Sequence, residues 1–478
     1  MRNASGLKVL LINPPFDQEE ESVGKTKSLQ RVLNIIPPLG IAYVAAILEQ
    51  AGVGVKIIDC AVGISWEALS QAIAREQPDV VGLAATTPAF LMAKKAARLA
   101  REISPAARIL LGGAHVTASP EGAMEGGLFD IGVIGEGEAT VQELFANYRA
   151  GRFENLNRIK GIIYHDAAGL HKNAARPFIE DLDSIPLPAR HLLPHPGRYG
   201  PTPASCRQVP YAVIITSRGC SSRCTFCDRT VLGDRCRMRG VDNIFQEIEE
   251  VVADYGAKEI RFFDDTFTAN KSRAHAICDE FEKRRLGLSW SCLTKTACVD
   301  GHLLRHMRRA GCWQVLYGFE SGDDRMLKLL KKGNTIDMNK RAIRLTQEAG
   351  LEIRGDFLVG SPGETWESLE RTVRFAIDTK LDYAHFNKFV PFPGTELYKL
   401  LTAQGHKFDF SKSSTLDHKQ VFYVNPGMTA ESFSAFLDKA YRRFYLRPGY
   451  ILKRLLSIRT FHQLKGQITG FFAILGLS

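Results

Sequence analysis

The stretch SRGCSSRCTFCDRT, residues 217–230, places Cys220, Cys224 and Cys227 within eight positions of each other. It follows directly on an apolar run, residues 212–216, with the composition of a buried strand. Thiolates spaced so closely in one loop can converge on a metal centre, and iron–sulfur clusters require thiolate ligands. Zinc is the competing metal, but a structural zinc site takes four protein ligands, and no fourth Cys or His lies in this loop. Three ligands on a four-iron cluster leave one iron open for a substrate.

After this loop, short apolar strands alternate with longer stretches of helical period, a pattern typical of a parallel β/α sheet. Six strands are predicted in this part of the chain, at residues 212–216, 260–263, 289–293, 315–319, 353–359 and 383–389. Six such units predict a sheet that curls without needing to close, a partial (β/α)6 barrel. The cysteine loop then lies at the C-terminal end of the first barrel strand, where β/α folds collect their chemistry.

The chain before the cysteine loop shows the same alternation. Five strands are predicted there, at residues 8–12, 54–58, 80–84, 108–111 and 131–134. With their intervening helices they predict a doubly wound, Rossmann-like α/β domain over residues 1–150. The region 151–205 is rich in Pro, Asn, Arg and Gly and is interpreted as a linker. The barrel then takes residues 206–405, and a helical segment takes 406–478.

The composition places the chain among soluble globular proteins, with 45% hydrophobic and 24% charged residues over 478 positions. The opening MRNASG and the short run LKVLLIN do not make a signal peptide or a spanning helix, so we expect a cytoplasmic protein. Disulfides are not expected in that reducing compartment. The remaining seven cysteines are interpreted mainly as small core residues: Cys60, Cys206, Cys236, Cys278, Cys292, Cys298 and Cys312.

The C-terminal tail carries much of the net charge of +10, because residues 441–478 contain seven Lys or Arg and no Asp or Glu. These basic residues alternate with Leu, Ile and Phe at helical spacing, a pattern typical of a basic amphipathic surface helix. One interpretation is peripheral contact with anionic lipid, at the inner face of the membrane. The other is a helix packed on the barrel with a solvated basic face. The apolar run GFFAILGL is too short to span a bilayer.

The three cysteines have the spacing CxxxCxxC, the aromatic Phe226 precedes the last of them, and their loop follows the first barrel strand. This combination resembles the motif of the radical S-adenosylmethionine (SAM) enzymes. The resemblance implies a 4Fe-4S cluster on Cys220, Cys224 and Cys227. It also implies that SAM binds the open iron and is cleaved to a 5′-deoxyadenosyl radical.

The resemblance continues through FFDDTF (262–267), YGFESG (317–322), GDFLVGSPGET (355–365) and FPGTELY (392–398), at the ends of later barrel strands. It implies a set of residues near SAM: Phe226, Asp264, Asp265, Glu320, Ser321 and Gly360. The residues themselves leave other roles open. The two aspartates could cap the following helix, and Glu320 could be a buried ion-pair partner.

The first domain shows no GxGxxG after its first strand, where the chain reads LLINPPFDQ, so a nicotinamide dinucleotide is disfavoured. Glycines follow two later strands in LLGGAHVTASP (110–120) and GVIGEGE (132–138), where they allow a large flat ligand to approach the backbone. These segments, with the opening INPP and PPLGIAYVAAILE, resemble the cobalamin-binding domain of B12-dependent radical SAM enzymes. The fold could instead be retained as a scaffold.

The resemblance implies cobalamin contacts from nine residues: Asn13, Pro15, Thr86, Thr87, Gly112, Gly113, His115, Gly135 and Glu136. The DxHxxG motif that gives cobalt a histidine ligand in other cobalamin proteins is absent. His115 is expected to pack beside the corrin or cap a helix, and not to replace that ligand.

Together these resemblances imply a cobalamin-dependent radical SAM enzyme. We expect it to transfer a methyl group to an unactivated carbon of a small-molecule substrate, lipid-like or a secondary metabolite, with a reductant such as flavodoxin or ferredoxin. An oxidative cyclase acting on a porphyrin or lipid, similar to the anaerobic Mg-protoporphyrin monomethyl ester cyclase group, is the alternative within the class. A radical SAM tRNA-modifying enzyme is the alternative outside it. Nucleic acid is not the expected partner, because no RNA-binding module is recognisable.

Overall fold

The computed structural model describes residues 6–15, 35–149, 151–201, 204–410, 420–458 and 461–475. Its N-terminal part is a seven-stranded sheet in the order β2-β1-β3-β4-β5-β8-β9. The strands are β1 Lys8–Asn13, β2 Gly54–Asp59, β3 Val80–Ala84, β4 Arg108–Gly112, β5 Ile131–Val133, β8 Ile162–Asp166 and β9 Gly169–Lys172. A separate short hairpin joins β6 Tyr148–Arg149 to β7 Arg152–Phe153. The first five strands of the sheet pair in parallel, which confirms the predicted doubly wound architecture.

Strand β1 shows why the sheet is covered on both sides. Leu10 and Ile12 face one apolar core, and Val9 and Leu11 face another on the opposite side of the sheet. A parallel strand buried on both faces therefore appears in the sequence as one continuous apolar run. The surrounding helices are α1 Leu39–Gln50, α2 Trp66–Glu76, α3 Phe90–Ile103, α4 Ala114–Ala118, α5 Pro120–Met124 and α6 Gly137–Ala146.

The region interpreted as a linker contains more regular structure than its composition indicates. Strands β8 and β9 pair antiparallel and extend the first sheet beyond its five predicted strands. Within β8, Ile162, Ile163 and Tyr164 form a short buried apolar run, which the Pro, Asn, Arg and Gly residues around it masked in the prediction.

The second sheet has the order β10-β13-β14-β15-β16-β17, and every neighbouring pair is parallel. Its strands are β10 Tyr211–Ile214, β13 Glu259–Phe262, β14 Ser289–Thr294, β15 Cys312–Glu320, β16 Glu352–Val359 and β17 Tyr383–Lys388. A small ribbon pairs β11 Ser217–Arg218 with β12 Arg237–Met238 beside the cysteine loop. The helices are α7 Val241–Tyr255, α8 Lys271–Arg284, α9 Gly301–Arg309, α10 Asp324–Leu329, α11 Ile336–Glu348, α12 Trp366–Asp378 and α13 Glu396–Ala403. The predicted six-stranded open barrel is confirmed.

The two faces of the barrel sheet differ in chemistry. Side chains on the outer face pack under the helices and are large and apolar, among them Phe262, Trp290, Tyr317 and Phe357. The inner face, called the lumen below, carries polar side chains at the alternate positions: Arg261, Ser291, Gln314, Arg354, Asp356 and His385. Strand β16 shows this directly, because buried outer residues alternate with partly exposed inner ones along its whole length.

The two sheets are joined by a shared apolar cluster. Leu39 and Tyr43 of α1 pack with Tyr211 and Val213 of β10, and Tyr199 of the connecting segment completes the contact. The Tyr199 hydroxyl also donates to Asp59 at the end of β2, with an O–O distance of 2.9 Å. The connecting segment therefore fixes the first domain against the barrel.

Three helices end the described chain: α14 Ala430–Tyr445, α15 Pro448–Ser457 and α16 Phe461–Leu475. Phe433, Leu437 and Phe444 of α14 are buried in the outer core of the barrel. Over the described residues, no helix combines the length and apolar character needed to cross a bilayer.

Candidate active site

The cysteine loop starts at the β11–β12 ribbon, where Gly219 has φ +87°. A Cβ at that position would lie 2.3 Å from the Arg235 carbonyl oxygen, so only glycine allows the two backbones to approach. Cys220 is half-buried, Cys224 is buried and Cys227 is exposed at the mouth of the loop. Desolvation of the thiol within the loop, and then the nearby Cys224, Asp265 and Cys220, raise the pKa of Cys227 to about 11. The three thiols therefore lie within electrostatic reach of one another.

Lys295, at the end of β14, was not among the predicted site residues. Its Nζ donates to the Cys220 Sγ at 2.9 Å and also contacts the Ser222 hydroxyl. Burial alone would raise the pKa of the Cys220 thiol, but the hydrogen bond from Lys295 and the one from the Ser222 backbone N–H outweigh it and lower the pKa. The sequence signal for Lys295 was its position directly after a predicted barrel strand, at the same edge of the sheet as the cysteine loop.

The two predicted aspartates take different positions. Asp264 is fully buried and accepts hydrogen bonds from the backbone N–H groups of Thr216 and Ser217, so it ties the end of β13 to the start of the cysteine loop. Asp265 is exposed and accepts from the Gly219 backbone N–H, which places it beside the cysteines. The alternative that they cap the next helix is wrong, because the Asn270 side chain caps α8.

Glu320 ends β15 with φ +66°, a conformation that is uncommon for residues other than glycine. Its carboxylate forms an ion pair with Lys332, with an N–O distance of 2.6 Å and both side chains about nine-tenths buried. The ion-pair role weighed for Glu320 is therefore present. Lys332 also lies 5.8 Å from the centroid of Phe226, so this pair borders the cysteine loop.

Ser321 and Gly360 are held by structural contacts. The Ser321 side chain is fully buried, and its hydroxyl lies 3.2 Å from the Thr372 hydroxyl under α12. Gly360 has φ +83°, and a Cβ there would lie 2.7 Å from the Phe433 ring. Its N–H donates to the buried Glu364 carboxylate at 2.5 Å. Contacts of these two residues with SAM stay predictions.

In the first domain, the predicted residues gather at the carboxyl edge of the parallel strands. Asn13 ends β1 and donates to Asp59 at 2.7 Å, and the partly buried Pro15 follows it. Thr86 is exposed after β3. Gly112 ends β4, and little surrounds the position its Cβ would take. Open backbone at this edge fits a large flat ligand.

Several of these residues also have structural roles. Gly113 has φ +99°, and a Cβ there would lie 2.7 Å from the Ala85 carbonyl oxygen. His115 is buried, stacks on Phe90 with ring centroids 3.9 Å apart, and its Nδ1 lies 3.1 Å from the Thr87 hydroxyl. Burial, and then Lys94, lowers the pKa of His115 to about 4. The imidazole therefore packs inside the domain, and cobalt coordination by it is not supported.

Gly135 and Glu136 form the junction between the two domains. Gly135 has φ +79° with open space around it, and its N–H donates to the Thr117 hydroxyl at 3.0 Å. Glu136 is buried and pairs with Arg218 at 3.0 Å and with Arg237 at 2.8 Å, both from the ribbon beside the cysteine loop. Its carboxylate is used by these ion pairs, so a cobalamin contact would come from its backbone and stays a prediction.

The junction contains a further pair that the sequence analysis missed. Glu138 accepts from Arg218 at 2.6 Å, and the Arg218 guanidinium lies 5.2 Å from the centroid of the Tyr43 ring. The four charged groups are about nine-tenths buried or more. Arg218 precedes Cys220 by two residues, so the carboxyl edge of the first sheet faces the cysteine loop.

Comparison with known proteins assigns both halves. The B12 binding domain family matches residues 28–145, and the radical SAM superfamily matches residues 214–376. An uncharacterized methyltransferase of Pyrococcus horikoshii is 34% identical over 459 residues, 94% of this chain and 95% of that protein. The anaerobic magnesium-protoporphyrin IX monomethyl ester cyclase of Cereibacter sphaeroides is 31% identical over 426 residues, 86% of this chain and 68% of the cyclase.

Among solved structures, the radical SAM methyltransferase TsrM of Kitasatospora setae, with cobalamin and a 4Fe-4S cluster bound, shares the fold. Its TM-score is 0.73 at 20% identity, over 98% of this chain and 99% of the TsrM chain. These matches define a radical SAM enzyme with a B12-binding domain. The chain belongs to the cobalamin-dependent radical SAM family, whose relatives include both methyltransferases and cyclases.

The residues present fit the cofactors of this class: a 4Fe-4S cluster, SAM and cobalamin. Among the described residues, no group of three or more His, Cys, Asp or Glu is close enough to hold a single metal ion. A four-iron cluster distributes its thiolates over different irons, so the neighbouring but separated thiols of Cys220, Cys224 and Cys227 suit it better than zinc.

Proposed function

We propose that this enzyme transfers a methyl group to an unactivated carbon of a small-molecule substrate. The observation that carries the proposal is the buried junction of Glu136 with Arg218 and Arg237, which holds the carboxyl edge of the first sheet against the cysteine loop. A methyl donor at that edge and a radical source at that loop would then share one enclosed space.

When bound, the cluster and SAM supply a carbon radical, and cobalamin supplies a transferable methyl group. The protein's own residues position these groups and exclude water. We propose that Cys220, Cys224 and Cys227 hold the cluster and that Lys295 fixes the Cys220 thiolate by its 2.9 Å hydrogen bond. Asp264 holds the loop in register with the end of β13.

The test uses anaerobically reconstituted protein, with iron, sulfide and cobalt measured first. SAM and a reductant, flavodoxin or ferredoxin, are then added, and the products are measured by mass spectrometry. Methyl transfer is supported by bound cobalamin and by formation of both 5′-deoxyadenosine and S-adenosylhomocysteine. Formation of 5′-deoxyadenosine alone would contradict it and favour the cyclase alternative.

Single alanine variants assign the cluster ligands. We expect Cys220→Ala, Cys224→Ala and Cys227→Ala each to abolish the iron–sulfur absorbance and 5′-deoxyadenosine formation. Cys298→Ala is the matched control, because Cys298 is another partly exposed cysteine in the same barrel. Loss of the cluster in the control, or its retention in any of the other three, would overturn the ligand assignment.

We also propose that α15 and α16 contact a membrane surface and admit a lipid-like substrate. Leu452, Leu455 and Phe472 have exposed fractions of 59%, 58% and 65%, so the two helices present apolar side chains to solvent. Exposed apolar patches of this kind mark interaction sites more often than isolated residues do.

Part of the positive charge of the tail is paired within the protein. Lys453 and Arg454 pair with Asp382 of the barrel at 2.7 and 2.9 Å, and Arg443 pairs with Glu370 at 2.6 Å. Arg459, counted with them, lies outside the described residues. Because Arg443, Lys453 and Arg454 pair with carboxylates of the barrel, we expect membrane contact to depend mainly on apolar insertion, with a weak dependence on salt.

Liposome flotation of the double variant Leu452→Glu, Leu455→Glu tests this contact. We expect the wild type to float with vesicles and the variant to stay in the soluble fraction. Leu400→Glu is the control, because Leu400 is 49% exposed on α13, away from these helices. Equal soluble recovery of wild type and double variant would refute the membrane proposal.

A further inference from the structure

The lumen of the barrel contains a buried cation without a matching anion. Arg261 lies on the inner face of β13 with an exposed fraction of 4%. Among the described residues it forms no ion pair, and its one described hydrogen bond runs to the Ser205 carbonyl oxygen at 3.5 Å. Buried charges in proteins are normally paired and hydrogen-bonded, because burying an isolated charge is strongly unfavourable.

The neighbouring charges do not supply the missing anion. Arg354 pairs with Asp356 at 3.2 Å and contacts the His385 Nδ1 at 2.9 Å. Burial, and then Arg354, lowers the pKa of His385 to about 3, so this imidazole is neutral at physiological pH. Arg354 lies one layer above Arg261 and uses the carboxylate of Asp356. Glu352 lies in the row of Arg261, opposite Gln314, but it pairs with Arg207 at 2.6 Å and with Arg454 at 3.3 Å, so neither carboxylate is left for Arg261.

Glu259, two residues below Arg261 on β13, is also engaged elsewhere. Its carboxylate accepts from the backbone N–H groups of Arg207 and Gln208 at 2.9 and 2.8 Å, and from Trp313 Nε1 at 3.1 Å. It closes the lower end of the lumen and forms no ion pair with Arg261.

A second polar group at the same level lacks a partner. Gln314 is 2% exposed, and among the described residues its Nε2 donates to nothing. In the strand register Gln314 lies opposite Ser291, and Ser291 lies opposite Arg261, so the three side chains form one row across the inner face. A guanidinium and an amide N–H₂ from one row of the sheet are donors that suit a carboxylate or phosphate-type oxygen group.

The lumen is less buried above this row, on the side of the carboxyl ends of the strands. Higher in the lumen, Asp356 and His385 have side chains 24% and 30% exposed, so the cavity opens toward the carboxyl ends of the strands. Asp265, beside the cysteine loop, is four residues beyond Arg261, which is at most about 13 Å along the chain at about 3.3 Å per residue.

We propose that the lumen binds an anionic group of the substrate, a carboxylate or a phosphate or phosphonate, on Arg261 and Gln314. The inference rests on the proposed function, because it concerns the substrate of that same site. It adds the substrate class: a molecule with an anionic end seated deep in the barrel and a reactive carbon up to about 13 Å nearer the cysteine loop. A small organic acid and an amphiphile with an acidic head both satisfy this description.

The experiment measures binding to reconstituted holoenzyme by isothermal titration calorimetry, independently of turnover. The probes are phenylphosphonate, phenylacetate and the neutral isostere phenylacetamide. We expect at least one of the anions to bind wild type at least tenfold more tightly than the amide, and the tighter anion distinguishes phosphonate from carboxylate recognition. Arg261→Met should abolish this preference. Arg344→Met is the control and should keep the preference, because the Arg344 side chain lies on α11 and is 68% exposed.

Arg261→Lys is the second variant, for use if the methionine variant does not fold. It keeps the charge but not the two-pronged donor geometry, so we expect the anion preference to fall by at least threefold. Ligand-free Arg261→Met should melt no lower than wild type, because it removes an unpaired buried charge. The proposal is overturned if neither anion is preferred over the amide by wild type, or if the substituted protein keeps the preference. If the anion binds as expected but no methyl group is transferred, only the proposed function is refuted.

Discussion

Replacing Glu136 by Gln should weaken the attachment of the first domain to the cysteine loop, because it removes the charge of the carboxylate and keeps the shape of the side chain. Glu136 accepts from Arg218 at 3.0 Å, from Arg237 at 2.8 Å and from the Ile179 backbone N–H at 2.8 Å. Together with Glu138, the junction holds two carboxylates and two guanidinium groups. The variant leaves this buried network with one unbalanced positive charge.

The expected magnitude follows from what each arginine retains. Removing one partner of a buried ion pair destabilises a protein by about 3 to 5 kcal/mol. Arg218 keeps its 2.6 Å pair with Glu138, and Arg237 keeps the Ile179 and Leu232 carbonyl oxygens at 2.6 and 2.8 Å. We therefore expect a loss near the lower limit, about 3 kcal/mol. At about 2 to 4 °C per kcal/mol this lowers the melting temperature by about 6 to 12 °C.

The assay is thermal and urea denaturation of the two proteins at equal cofactor loading. Glu180→Gln is the matched control, because Glu180 also pairs with an arginine, Arg235, at 2.7 Å, but both side chains are largely exposed. Exposed pairs contribute less than about 1 kcal/mol. If Glu136→Gln loses no more stability than the control, desolvation of the buried charges cancels their pairing, and the reasoning about the junction is wrong.

Three further variants test single features of the fold. Lys332→Met leaves the buried carboxylate of Glu320 unpaired and should lower the free energy of unfolding, measured by urea titration, by about 3 kcal/mol or more. Lys331→Met is the control, because Lys331 is exposed, and it should lower the free energy of unfolding by less than about 1 kcal/mol. Gly113→Ala should lower the free energy of unfolding by at least about 2 kcal/mol more than Gly52→Ala, because both glycines have positive φ but only Gly113 lies against neighbouring backbone. Equal melting temperatures of the two variants would contradict this. Burial raises the pKa of Glu364 to about 8, so the folded protein keeps a proton that the unfolded chain loses near its ordinary pKa of 4.5. The free energy of unfolding should therefore fall as the pH rises from about 5 to about 8, by up to about 1.4 kcal/mol per pH unit. Glu364→Gln should flatten this slope, and an unchanged slope in the variant would show that other groups cause it.

The apolar runs of the sequence predicted the parallel strands of both sheets closely, with ends that differ by at most three residues. These strands are buried on both faces or on one whole face, so each is visible as a local apolar run. Strands β8 and β9 escaped prediction because β9 alternates between partly exposed and exposed positions, and β8 was assigned to a linker on the basis of the composition around it.

The candidate site was predictable where its residues are neighbours in the chain. Cys220, Cys224 and Cys227 form one local motif, and family membership now supports the cofactors that it implied. Lys332 lies in the loop between α10 and α11, away from any strand end, and no local pattern pointed to it. The helix-cap alternative for Asp264 failed because burial gives that carboxylate to the cysteine loop.

The sequence by itself determined the parallel strands, the cysteine loop and the glycine turns, since each is encoded within a few residues by apolar periodicity, thiol spacing or a required backbone angle. Only the tertiary structure decided which charges meet. Arg218 and Glu136 are 82 residues apart, and Lys295 and Cys220 are 75 apart. Arg261 forms no ion pair with any described residue. The physical reason is that a sequence pattern records whether a position is buried, but the partner of a buried charge is chosen by how distant segments pack.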